Sequence, residues 1–195
     1  MNKFQNRLAF AIATSALALA CASTSFAASM DAMGKETMVT VGGAPMSSSK
    51  NIIENAVNSK DHTTLVAAIK AAGLVDTLSG TGPFTVFAPT NAAFAALPAG
   101  TVDTLLKPEN KDKLTGILTY HVVPGHLTSK DIEALAMKSG GTAELKTVQG
   151  ESLQVMKSGG GWVVVDSKGN KAAITIANVL QSNGVIHVVD KVLMP

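Results

Sequence analysis

The hydrophobic period of this chain changes once, near residue 140, and that change narrows the available folds more than any other feature. Upstream the spacing is helical. Asn51-Ile52-Ile53-Glu54 has the form of a capping box, followed by Ile52, Ile53, Ala56 and Val57 at helical intervals. Thr63 or Thr64 can cap Leu65 to Ala72, and Gly73 stands where a left-handed C-terminal residue ends a helix. Ser79-Gly80-Thr81-Gly82-Pro83 reads as a turn, Phe84 to Ala88 as a short buried strand, and Pro89-Thr90 as the opening of a helix through Phe94 to Leu97. Two further helical stretches fall near 101–106 and 109–119. Downstream the period is two. Thr142–Val148, Ser152–Lys157, Trp162–Asp166, Ala172–Val179 and Val185–Leu193 read as strands, with Gly-rich punctuation at hairpin-like distances. Helices first and antiparallel strands afterwards predict an α+β domain. No internal repeat is visible, so one domain is the economical count.

The N-terminus belongs to a different kind of segment. Lys3 and Arg7 precede an apolar run from Leu8 to Ala20, and Ser25-Phe26-Ala27 places small residues before a cut ahead of Ala28. This is the grammar of a secretory signal peptide over 1–27. The run falls short of the ~20 apolar residues that cross a bilayer, and no later stretch approaches that length. Ala18-Leu19-Ala20-Cys21 offers an alternative, a lipoprotein box that would leave Cys21 lipidated, although the later site is better formed. Residues 28–48 are small, polar and glycine-containing, and read as a flexible leader.

Removal of the signal segment leaves 14 Lys against 14 Asp and Glu, with no Arg. Nucleic-acid binders show clustered Lys and Arg, so nucleic acid is not an expected partner. Cleavage after Ala27 also removes the single cysteine, and with it disulfides, zinc thiolates and a cysteine nucleophile. A domain of about 145 residues buries roughly 68–70% of its unfolded surface and needs no staple.

Three segments carry a family resemblance. Phe84-Thr85-Val86-Phe87-Ala88-Pro89-Thr90-Asn91-Ala92-Ala93-Phe94 resembles the first signature of fasciclin domains. Tyr120-His121-Val122-Val123-Pro124-Gly125 resembles the central Tyr-His segment, and Asn183 to Pro195 resembles the closing signature. They stand in the family's order, and the resemblance covers about 49–195. Val41-Gly42-Gly43-Ala44-Pro45-Met46 also looks like the short bacterial, single-domain branch. The resemblance implies a twisted antiparallel β-sandwich or wedge with short helices packed along one side. It also implies a secreted or periplasmic protein for cell adhesion or recognition, working through extracellular or cell-surface protein or glycan contacts and not as an enzyme. In animal members, integrin contact is associated with the Tyr-His region and an Asp-Ile pair before the last signature. Here Tyr120 and His121 match, while Asn178 and Val179 stand where Asp-Ile would be. Those four are the candidate partner-binding residues, and the missing carboxylate argues against metal-assisted integrin binding.

Other candidate chemistry has a plainer reading. His121 and His187 lie in apolar runs and are expected to be buried and hydrogen-bonded. With Thr90 and Asn91, His187 is assigned a structural role, and His121 is expected to bond across to the Thr90-Asn91 turn. His62 and His126 are expected in exposed or loop positions. Ser47-Ser48-Ser49-Lys50 fits a Ser-x-x-Lys pattern, but the companion motifs of penicillin-recognising enzymes are absent. No catalytic residue, cofactor or metal site is assigned. Met30, Met33, Met38 and Met46 raise the alternative of Cu(I) capture by the leader. Trp162 is expected at a core edge, with an exposed stacking platform as the alternative. The rival function is a periplasmic module that binds a small apolar molecule, a glycan or a metal.

Overall fold

The computed structural model describes residues 38–195. The expected signal segment, its cleavage site, Cys21, Met30 and Met33 lie outside the described residues. Order begins earlier than the leader boundary at residue 48 implies. Met38–Val41 (β1) and Ala44–Ser47 (β2) form an antiparallel hairpin, with Val41 opposite Ala44. Gly42 and Gly43 make its two-residue turn at φ 59° and 74°, a geometry that favours glycine at both places. Val41 and Met46 are each 1% exposed, so this half of the leader is core and not a free tail. Side chains buried this fully contribute roughly 1.5–3 kcal/mol each.

Several helix ends fall where the sequence marks them. Ile52–Asn58 (α1) opens on the capping box, with the Glu54 N–H donating to Asn51 Oδ1 at 2.8 Å and the Asn51 N–H donating to Glu54 Oε2 at 2.9 Å. Thr63–Ala72 (α2) ends on left-handed Gly73, but its N-cap residue is His62, which makes no side-chain cap bond, so neither Thr63 nor Thr64 acts as its cap. Val75–Ser79 (α3) follows, then Phe84–Pro89 (β3) and Asn91–Ala95 (α4). Thr101–Leu105 (α5), Lys111–Tyr120 (α6), Val122–Pro124 (β4) and Ser129–Lys138 (α7) complete the mixed half. The later strands are Thr142–Lys146 (β5), Ser152–Ser158 (β6), Gly161–Val165 (β7), Lys171–Gln181 (β8) and Gly184–Val189 (β9). Both α3 and α7 are additions to the sequence reading.

Strands β3 to β9 form one sheet in the order β4-β3-β9-β8-β7-β6-β5. Its pairings are antiparallel apart from β3 with β9, which run parallel, so the sheet is mixed where an antiparallel one was expected. The Val148 N–H, just past β5, donates to the Val122 carbonyl of β4 at 2.8 Å, which brings the two ends of the sheet together into a nearly closed wedge. Gly184 has its own reason in the parallel pair. It lies opposite Phe84, and a Cβ there would come within 1.9 Å of the Phe84 carbonyl oxygen. Close backbone approach in the parallel pair is therefore the reason for glycine at this position.

The central strands β3 and β9 are buried on both faces, and each face belongs to a different core. Val86, Ala88, Ile186 and Val188 meet the helices and the hairpin. Phe87 and Val189 face inward with Tyr120, Leu153, Val155 and Val164. The alternation predicted for residues 185–190 therefore sorts side chains between two interiors.

Candidate functional site

Tyr120 and His121 sit at the end of α6, where the chain turns into β4. Both were expected as partner contacts, and both face inward: Tyr120 is 0% exposed and His121 2%. The Tyr120 hydroxyl accepts the Ser167 N–H at 2.9 Å and donates to the Ser152 carbonyl at 3.4 Å, tying α6 to the far side of the sheet. His121 Nδ1 lies 2.8 Å from the Ile117 carbonyl, and Nε2 accepts the Leu193 N–H at 3.0 Å. A carbonyl can only accept, so the ring proton is on Nδ1. Burial pushes the imidazole down to about 4, against the opposing pull of the Ile117 carbonyl and the Asp166 charge.

The expected bond from His121 to the Thr90-Asn91 turn is not formed. Thr90 caps α4, its Oγ1 accepting the Ala93 N–H at 3.3 Å. The Asn91 side chain accepts from the Thr64 N–H at 3.0 Å and from the Thr63 hydroxyl at 3.2 Å, and donates to the Lys60 carbonyl at 2.8 Å. The first signature is thus fastened to the start of α2, because the nearest orphan donors to Asn91 are those of an uncapped helix.

Asn178 and Val179 lie in an irregular stretch of β8, where the register against β9 shifts between Ile174 and Val179. Asn178 takes φ 59°, a conformation that asparagine tolerates better than most residues. Its side chain is satisfied within the fold: Oδ1 accepts the Ser129 N–H and Nδ2 donates to Ser129 Oγ, both at 2.7 Å. Val179 is 0% exposed. Of the four residues expected to contact a partner, only Asn178 is partly exposed.

His187 stands behind this bulge as a structural residue. Its Nε2 donates to the Leu127 carbonyl at 2.9 Å, and Nδ1 accepts the Asn178 N–H at 3.4 Å. The ring also stacks on Phe87 at 5.6 Å. Its tautomer is the reverse of that of His121, and burial lowers its pKa. Thr85 completes the arrangement, its hydroxyl donating to the Gly125 carbonyl at 2.7 Å and accepting the Leu127 N–H at 2.9 Å. The loop from Pro124 to Ser129 is therefore pinned at its base, while Pro124 and His126 face solvent.

His62 was expected to be exposed and is 1% exposed. Its Nδ1 lies 2.9 Å from Ser59 Oγ, and burial lowers its pKa despite neighbouring Asp61. A serine beside a histidine suggests a nucleophile and base. Ser59 is itself 1% exposed, and its hydroxyl reaches the Val41 carbonyl at 3.3 Å, so the pair sits sealed beneath the hairpin. Among the described residues, no three His, Cys, Asp or Glu side chains gather closely enough to hold a metal ion. Ser47 is buried against Asn55, which accepts its N–H at 3.1 Å, and so the Ser-x-x-Lys match has no accessible first serine. Met46 is core and Met38 is exposed, which separates the two leader methionines within the described residues. Trp162 is half-buried, with Lys157 Nζ 5.3 Å from the ring centroid.

The comparisons agree with this architecture. The model of the fasciclin domain matches residues 60–195. The chain is 49% identical over 160 residues to Protein sll1483 of a Synechocystis species, across 82% of each chain. It is 39% identical over 145 residues to Cell surface glycolipoprotein MPB83 of Mycobacterium bovis, covering 72% of this chain and 58% of that one. In three dimensions it resembles a FAS1 domain pair from the insect cell adhesion molecule Fasciclin I. That likeness has a TM-score of 0.66 at 21% identity and covers 75% of this chain and 51% of that one. The family includes cell-adhesion and surface proteins, and no helix among the described residues is long and apolar enough to cross a membrane. The chain belongs to the fasciclin domain family.

Proposed function

We propose that this chain is an exported, non-catalytic recognition domain that mediates adhesion at the cell surface or envelope through protein or glycan contacts. One observation carries the reading. The buried histidines His121 and His187 have both ring nitrogens engaged with main-chain atoms, which supports a folding role and leaves neither free as a base. The surface best suited to contact is the pinned Pro124–Ser129 loop beside Asn178. Thr85, His187 and Asn178 support it from beneath through their bonds to Gly125, Leu127 and Ser129, while Tyr120, His121 and Val179 stay buried. A rigid loop loses little entropy on binding, which suits recognition.

The test has three parts. Intact mass of the exported protein should place Ala28 or a neighbour first; a lipid-bearing Cys21 in the membrane fraction would make the protein anchored instead. Ester, peptide and glycoside substrates should give no turnover above background. The immobilised domain should capture an envelope protein or glycan, and His126→Ala should weaken that capture without changing the melt. Turnover abolished by Ser59→Ala in a folded domain would overturn the non-catalytic reading.

A further inference from the structure

A groove of about 420 Å³ opens between the end of α4, the β7–β8 turn and the chain following β9. Its floor is aliphatic, built from Leu97, Val192, Met194 and neighbouring alanines, and its polar rim is mostly cationic, with Lys168, Lys171 and Lys191. All three lysines are exposed, and among the described residues none of them pairs with a carboxylate. The two acids closest in sequence are already engaged. Asp166 is 6% exposed and accepts the N–H groups of Lys168, Asn170 and Met194 at 3.0, 2.8 and 3.1 Å. Asp190 accepts the Ala173 N–H at 2.7 Å. These bonds hold the β7–β8 turn and the chain following β9 in fixed relation, so two of the three walls are set before any ligand arrives.

We infer that this groove binds a single-chain amphiphile with an anionic head, its acyl chain along the aliphatic floor and its carboxylate among the lysines. The volume lies in the range of small-molecule sites, roughly 300–1,000 Å³. Charge complementarity selects the head, since the rim carries three cations and no acid lines it. The floor selects the tail. A sugar would look for an aromatic face or several neutral donors and acceptors, and the lining has no aromatic residue and Asn170 as its one side-chain amide. The site is separate from the Pro124–Ser129 loop, and the inference stands whether or not the adhesive reading does.

Titration calorimetry with dodecanoate, kept below its micelle threshold, tests it on the exported chain. One site is expected. Replacing all three lysines with Gln should weaken it about tenfold, as three exposed ion pairs of modest strength together would. Added salt should weaken the parent and leave the triple variant nearly unchanged. Ala96→Asp places a like charge in the groove at an exposed position and should abolish binding. Thermal melts check that each variant is folded; the lysine variants decide alone if Ala96→Asp is not. The inference is overturned if dodecanoate does not bind, if the folded lysine variant binds it as tightly as the parent, if dodecanol binds as well as dodecanoate, or if inorganic phosphate alone competes equally.

Discussion

The Leu193 N–H donates to Nε2 of His121 across 72 positions of sequence, so the Tyr-His segment holds the closing signature by a single ring nitrogen. His121→Ala removes this acceptor and the donor to Ile117 together, in a site 2% exposed. Leaving such buried partners unsatisfied typically costs about 1–3 kcal/mol. Urea unfolding should register that loss. A variant that melts like the parent yet loses its partner would make His121 a contact residue.

The same ring makes stability sensitive to acid. His121 is held near 4 in the folded protein, and His62 and His187 are also lowered, all from an ordinary value of 6.5. Below 6.5 the unfolded chain takes up protons that the folded chain refuses. Stability should therefore be full above about pH 6.5 and fall as pH drops toward 4, with His121 alone accounting for something on the order of 3 kcal/mol. Urea midpoints measured from pH 7.5 to 4.5 should decline over that window. The His121→Ala decline should be shallower than that of the parent.

Asn91 and His121 share no partner, since one serves the start of α2 and the other the closing segment. Their losses should add within about 0.5 kcal/mol in a double-mutant cycle. A larger coupling energy would mean that the two signatures communicate through a route other than side-chain bonds.

The hairpin should behave as core. Met46→Ala empties a site 1% exposed beside Ile52, Leu65 and Ile186. Met→Ala changes of this kind cost ~2–5 kcal/mol. Met38→Ala, at an exposed position, should be near neutral by the same melt.

Local grammar carried much of this fold. The Asn51–Glu54 box, left-handed Gly73 and the Thr90 cap are each decided within a few residues, and the structure keeps all three. What escaped depends on residues far apart. The parallel β3–β9 pair joins residues about a hundred positions apart, and the His121 bond to Leu193 spans 72. Helix α7 was missed for a smaller reason. Only Ile132 and Ala136 of its residues are buried, and its capping box closes on Asp131 where Glu or Gln is the commoner signal. His62 misled because charged Lys60 and Asp61 precede it, yet the hairpin that covers it comes from upstream. The candidate site was legible in its residue names and not in their direction. Tyr120, His121 and Val179 point inward because an apolar run does not say which side will meet solvent.

The bond from Val148 to Val122 has a consequence for how other chains can meet this one. An open sheet presents two rows of unpaired amides, on which a foreign strand can extend the ladder. Here β4 is three residues long and ends in Pro124, and β5 carries exposed Glu144 and Lys146 beside the closing bond. Neither border is a template. Copies of this sheet therefore do not extend one another along either border, and a partner that meets those borders must read side chains and not backbone.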